Sequence, residues 1–336
     1  MIAAGAERPR ARPWGWSVLA AAALFAPVVV PGAFYHRVLA LIVLAAISAS
    51  SWNILGGYAG QISFGHAMFF GAGAYMPAFV YTYWHAAPAL GLPLGVAVSL
   101  AIAVLIGVPS FRLQGHYFSM ATIAVAELIR ILVSNWPVLG GAVGLQGPAT
   151  ARTVWDLTFR GSITYYYIFL AVLAVLLAVT AWMERSRMGY YLRAIRAGER
   201  ASRSLGVPAR RYKLYALMLS AAFTAIAGSL YVVMIGFVDP DSGLGILISV
   251  EMVIVTALGG AGTLFGPLLG AAILIPLEQT ANVLFGGGGT GFTYIFYGGV
   301  IILLSLFEPG GLLAVWRDRL APALRRGTEG PARHAA

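Results

Sequence analysis

Residues 38–67 read VLALIVLAAISASSWNILGGYAGQISFGHA, and they decide the fold class. From Val38 to Leu55 the chain runs eighteen residues without a charge. A helix crossing a bilayer needs about 20 such residues. The run stops at Gly56-Gly57-Tyr58-Ala59-Gly60-Gln61-Ile62-Ser63-Phe64-Gly65-His66. Glycines here allow unwinding or close backbone approach, and Gln61, Ser63 and His66 set polar groups at a membrane boundary. A broken helix beside a polar pathway is a recurring transporter device. A packed turn with internally satisfied hydrogen bonds is the alternative, and the sequence leaves both open.

The rest of the chain agrees with that opening span. Of 336 residues, 60% are hydrophobic and only 10% are charged, and the mean hydropathy is +0.82. A soluble domain is about half apolar and a quarter charged. A chain of this size could not hide so much apolar surface from water. Soluble enzymes, disordered chains and fibrous proteins are thereby disfavoured. Further apolar stretches fall at 14–30, 66–84, 90–110, 117–133, 163–183, 214–236, 247–258, 264–280 and 291–307. The expected fold is all-α, a polytopic membrane helix bundle with about 8–10 transmembrane helices, the N-terminus inside and a short cytoplasmic helix. Segment 247–258 is too short to cross alone. It must borrow residues from its flanks or be a broken piece lining a cavity. Residues 14–30 follow Arg8, Arg10 and Arg12 as in a secretory signal, but no small-x-small cleavage site follows, so they are read as an uncleaved span. The expected organisation is a cytoplasmic tail 1–13, a transmembrane domain 14–308 with a polar loop 184–213, and a cytoplasmic tail 309–336.

Charge sets the orientation. The chain has 22 Lys+Arg against 12 Asp+Glu, and every basic residue but Lys213 is arginine. With ten spans and the N-terminus inside, eighteen of the 22 basic residues fall inside and Arg37, Arg152 and Arg160 fall outside, with Arg130 within a span. This is the pattern of the positive-inside rule; the net charge of +10 is not a sign of nucleic-acid binding. The 41 glycines suit close helix packing in lipid. There is no cysteine, hence no disulfide, Fe–S cluster or thiolate zinc site. Residues 56–65 are faintly echoed at 259–266 (Gly259-Gly260-Ala261-Gly262, then Phe265-Gly266), which in so glycine-rich a chain reads as chance.

The longest polar loop, 184–213, is placed inside. Ala201 to Leu205 can form a short helix that Gly206 stops and Pro208 ends. By itself this is either a charged topology anchor or a rigid knob for a soluble partner.

Three stretches resemble the LivM-type permease subunits of bacterial ABC importers for branched-chain amino acids. Trp52 to Tyr75 is similar to that family's GYxGQxSxGHAxFxGxGAY signature, the 188–215 loop to its coupling loop, and Gly259 to Pro267 to its GGxGTxxGP. The resemblance covers roughly residues 40–310. It implies a non-enzymatic permease subunit working by alternating access. The implied partners are a second, homologous LivH-type permease, two ABC ATPase subunits and an extracytoplasmic substrate-binding protein, in a bacterial inner membrane. The family's "EAA---G" loop reads here Arg200-Ala201-Ser202, three residues, then Gly206, so its Glu is replaced by Arg200, with Glu199 beside it. The resemblance marks Arg193, Arg196, Glu199, Arg200, Ala201, Ser202 and Gly206 as ATPase-coupling residues. The chain lacks a GxxxxGK[ST] phosphate loop, so ATP and Mg would sit on the partners and no cofactor on this chain.

Four charges lie in or at the ends of spans: Glu127, Arg130, Glu251 and Glu278. Intramembrane charges are costly and mark functional sites. Glu127 and Arg130, at i,i+3, can form an internal ion pair, or an outer vestibule complementary to a zwitterion. The candidate pathway set is therefore Gln61, Ser63, His66, Glu127, Arg130 and Glu251. No catalytic or metal-binding set is expected: Ser63 and His66 lack a GxSxG elbow and an oxyanion hole. An outer loop around Gly140–Gly147 is long enough to suggest contact with the binding protein. The substrate implied by the resemblance is leucine, isoleucine or valine. Urea or another small amino acid or amide is the alternative, and an ion-coupled secondary transporter is the reading from composition alone.

Overall fold

A computed structural model describes residues 24–147 and 154–284, except 28, 114 and 160, together with 298 and 299. The apolar runs become helices. They are α1 (Ala33–Asn53, continued by a wider π-type turn Ile54–Tyr58), α2 (His66–Trp84), α3 (Gly91–Ser110), α4 (His116–Ser134), α5 (Ser162–Arg185), α6 (Arg187–Ala197), α7 (Glu199–Ser204), α8 (Ala209–Ile235), α9 (Pro240–Leu244), α10 (Ile246–Gly259) and α11 (Gly266–Leu284). Eight of the ten expected spans are thus helical. The greater part of the expected spans 14–30 and 291–307, and both tails, lie outside the described residues. Among the described residues six helical stretches are long and apolar enough to cross a membrane: Ala33–Tyr58, Pro88–Ser110, His116–Ser134, Ser162–Arg185, Ala209–Ile235 and Pro240–Gly259. The short segment at 247–258 reaches spanning length by borrowing from its N-terminal flank, with Gly245 marking the joint between α9 and α10.

Burial sorts the helices into a centre and a rim. The apolar stretches of α1 and α8 are 72% and 61% buried, those of α3 and α4 only 22%. Rim side chains such as Leu105, Met120, Leu128, Leu132 and Val175 are exposed, which water would not tolerate over so wide a surface but lipid does. The most extensive contact is between α2 and α8. A Cβ on Gly73 or on Gly228 would lie 1.9 Å from a backbone oxygen of the facing helix, so the small residues set the interhelical distance. Buried hydroxyls stitch these helices: Ser99 donates to Ala221 O (2.9 Å), Ser229 to Gly73 O (2.8 Å) and Thr256 to Ala49 O (3.0 Å). With little hydrophobic drive between helices in lipid, such bonds and close packing hold the bundle.

Two ends follow from contacts. One end gathers the close of α1, the 111–116 turn, α6–α7 and the α10–α11 turn. Arg196 reaches Gly57, and Lys213 lies 5.8 Å from the centre of the Phe111 ring. The opposite end gathers the close of α2, the 135–147 loop and the α8–α9 turn. There β1 (Leu145–Gln146) pairs antiparallel with β2 (Phe237–Val238), and Thr82 Oγ1 donates to Gln146 O at 3.4 Å. The nine basic residues between Arg185 and Lys213, with Arg112, all belong to the first end. The spacing of spans between residues 58 and 260 therefore has the parity that the charge count demands.

Candidate functional site: two helix breaks and the arginine-rich loop

The first break begins where α1 widens into its π-type turn at Ile54–Tyr58, a form of local unwinding that recurs at functional positions. Gly60 then turns the chain at φ 69°. The chain folds back into the bundle, because α2 starts beside the body of α1 rather than beyond its end. Trp52 Nε1 donates to Ser63 O at 2.7 Å. Gly65 N donates to Ser63 Oγ at 3.3 Å, and Ser63 Oγ lies 3.2 Å from His66 Nδ1. His66 Nε2 lies 2.8 Å from Ser220 Oγ, which donates onward to Ser51 O at 2.6 Å. Because the Ser220 proton is committed to Ser51, Ser220 accepts from His66, and the network assigns the neutral Nε2–H imidazole, with Nδ1 accepting from Ser63. Helix α4 holds the same loop: Ser119 Oγ donates to Ile62 O (2.6 Å) and Phe64 N to Thr122 Oγ1 (3.2 Å). Non-helical backbone at membrane depth is tolerated only when protein satisfies it or water reaches it. Ser63 and His66 are buried, and their polar groups are met within the chain. Gln61 is partly exposed at its mouth, its backbone N donating to Leu55 O at 3.2 Å.

The second break separates α10 from α11 and meets the first. Asn53 bridges them, its Oδ1 accepting from Gly262 N at 2.7 Å and its Nδ2 donating to Thr263 O at 2.9 Å. A Cβ on Gly57 would stand 1.8 Å from Asn53 Oδ1 and 2.5 Å from Gly262 N. The faint echo between 56–65 and 259–266 therefore has a spatial counterpart, since its two halves touch.

The arginine-rich loop divides into inward and outward residues. Arg193 donates to Glu184 O at 3.1 Å and stacks over Tyr190. Ser202 is buried and donates to Gly198 O at 2.9 Å. Glu199 pairs with Arg203 and, at 2.5 Å, with Lys213, whose side chain is fully buried. A buried ammonium needs such a partner, so Glu199 fastens α7 to α8. Arg196 turns toward the helix breaks. Arg200, Ala201, Leu205 and Gly206 are left exposed, Leu205 at 85%. Gly206 stops the helix at φ 84°, as expected.

At the opposite end Glu127 and Arg130 do form the i,i+3 ion pair, at 2.6 Å, and Arg130 also binds Asp241 at 2.8 Å. Asp241 was not foreseen, although Asp239-Pro240-Asp241-Ser242 is a readable helix start. Asp239 and Ser242 exchange capping-box bonds, and Pro240 takes the first turn. Lys213 and Asn53 were also missed. The signals were a lone lysine among arginines and an asparagine just ahead of the glycine signature. Glu251 sits partly exposed in α10, near enough to Glu278 on α11 for the charges to interact. A crevice of about 800 Å³ opens near the close of α2, lined by Tyr81, Thr82, His85, Gln146, Trp155 and Asp156 among others. Among the described residues no cluster of His, Cys, Asp and Glu is arranged to hold a metal ion.

Residues 34–305 match the family described as the permease component of the branched-chain amino acid transport system. The chain belongs to that family. It is 30% identical over 292 residues to the high-affinity branched-chain amino acid transport system permease protein LivM of Escherichia coli (strain K12), covering 80% of this chain and 67% of that one. The autoinducer 2 import system permease protein LsrC of Klebsiella pneumoniae is 30% identical over 161 residues, 45% of this chain and 44% of its own. The permease BraD of Pseudomonas aeruginosa, named for high-affinity branched-chain amino acid transport, is 25% identical over 146 residues, 44% of this chain and 46% of its own. No solved structure matches significantly. With six spanning helices and this membership, the chain is an ABC-type transport permease and a multi-pass protein of the inner membrane.

Proposed function

We propose that this permease moves leucine, isoleucine and valine from an extracytoplasmic binding protein into the cytoplasm, driven by separate ATPase subunits and paired with a second, homologous permease. The observation that carries the reading is the family match over residues 34–305 together with the exposed face of α7. Arg200, Ala201 and Leu205 stand clear of the bundle on a short helix whose other face is fastened to α8. An exposed leucine on a rigid knob fits a groove on a soluble partner. The arginine-rich end is then cytoplasmic, and the crevice end receives the binding protein. Transport requires differential substrate affinity between inward- and outward-open states, so the pathway itself binds weakly. At the outer end Arg130 offers a cation and Asp241 and Glu127 offer carboxylates within one ion-pair network. A zwitterionic amino acid can exchange its carboxylate and ammonium for these partners.

The deciding experiment is ATP hydrolysis and uptake by the reconstituted complex, with binding protein loaded from a panel of amino acids and urea. Stimulation by leucine, isoleucine or valine is expected. Stimulation by another solute alone moves the substrate, and uptake that persists without ATP refutes the ATP-driven reading. A Glu127→Gln complex should assemble and transport less; undiminished transport removes the vestibule role.

A further inference from the structure

The arginine-rich loop packs against the closing turn of α1, and there Arg196 reaches both helix breaks. Arg196 Nη1 donates to Gly57 O at 2.5 Å. Its Cγ would lie 3.0 Å from a Cβ placed on Gly60, and its Nη1 stands 2.0 Å from where a Cβ on Gly262 would be. One arginine side chain thus rests on three glycines that belong to two breaks on separate helices. Gly57 O lies in the closing turn of α1, where unpaired carbonyls and the helix dipole attract a cation. Among the described residues this is the hydrogen bond that joins α6–α7 to either break. The rest of the loop is fastened elsewhere: Arg193 to the end of α5, and Glu199 to Lys213 on α8.

We infer that Arg196 is the positioning residue through which displacement of the 184–213 loop reaches both glycine breaks at once. The physical requirement is a rigid connection with two ends. Side chains larger than glycine at 57 or 262 would occupy the space the guanidinium and Asn53 fill, so the glycines and Arg196 form one joint. The breaks, in turn, are linked by Asn53, so a pull on Gly57 is shared with the α10–α11 turn. Coupling of this kind is a free energy between two sites and is measured as such.

This inference rests on the ATP-driven reading, and the test separates the two. ATP-dependent uptake by the unmodified complex comes first; its absence would refute that reading without reference to Arg196. Arg196→Ala and Arg196→Lys complexes are then compared for assembly, basal ATP hydrolysis and uptake. The expected result is that Arg196→Ala assembles and hydrolyses ATP within about twofold of the unmodified complex, while uptake per ATP falls by about tenfold or more and Arg196→Lys recovers part of it. A role confined to folding would lower assembly, hydrolysis and uptake together. The chain has no native cysteine, so spin labels at Ser204→Cys and Ala261→Cys report directly. Their separation should change on ATP binding in the unmodified background and in Arg196→Lys, but not in Arg196→Ala. Unaltered uptake per ATP in Arg196→Ala, or an undiminished distance change, overturns the inference. If Arg196→Ala does not assemble, uptake per ATP in Arg196→Lys decides it, with the full wild-type value counting against.

Discussion

In the first break Trp52, Ser63, His66, Ser119, Thr122 and Ser220 all spend a polar group on the loop or its neighbours. In the second, Thr263 holds its own turn, donating to Gly260 O and accepting from Gly266 N, and Asn53 supplies the link to outside. The two segments share a glycine-rich wording, yet one is anchored by three helices and the other leans on the first. The difference teaches that glycine specifies where a helix can open, while the surrounding polar side chains specify how firmly the opening is held. A displacement shared between the two breaks through Asn53 then moves the less anchored one further.

That comparison can be broken most severely at its point of contact. Gly57→Ala would drive a Cβ into Asn53 and the backbone of Gly262. Backbone cannot yield as a side-chain tip does, so a loss of about 3 kcal/mol is expected, read as a lower thermal midpoint and poor assembly. A midpoint within a degree or two of the unmodified protein would mean the breaks are not in firm contact. His66→Ala removes the ring that Ser63 and Ser220 share and leaves a buried cavity, at a cost of about 2–3 kcal/mol. Its signature should be faster thiol labelling of an Ile62→Cys probe in the first break, and unchanged labelling there would count against the anchoring role.

Asn53→Ala sharpens the contrast. It strips both bonds to the second break while leaving the first break's own anchors in place, for about 1–2 kcal/mol. Labelling of Ala261→Cys should rise while Ile62→Cys stays as it was; equal increases at both sites would erase the asymmetry. Ser119→Ala is the smallest change. It removes one bond to the carbonyl of the exposed Ile62, and a shift below about 1 kcal/mol is expected, because water can take that carbonyl. A larger loss would show that α4 carries more of the first break than its exposure suggests.

The spanning helices were legible because their cause is local. Each needs only an uncharged run of the right length, and α10 shows the limit of that logic, since its spanning length depended on recognising Asp239 as a cap and Pro240 as a first turn. The glycine stop at Gly206 was legible for the same reason. The β1–β2 pair was not, because a two-residue pairing between Leu145 and Val238 has no local pattern to announce it. Among the site residues, the Glu127–Arg130 pair follows from helical spacing, but its third member, Asp241, joins across 111 positions of sequence.

By itself the sequence determined that this chain is a polytopic helical membrane protein, which end of the bundle is rich in arginine, and where glycines allow the helices to open, because hydropathy, charge bias and glycine placement act residue by residue. Only the tertiary structure decided that Glu199 turns inward to Lys213, that His66 is a bonded anchor, and that Arg196 bridges two breaks lying far apart in sequence. An arginine or a glutamate has the same reach in any loop, and which partner it meets depends on which backbones the fold has already brought within a few ångströms of it.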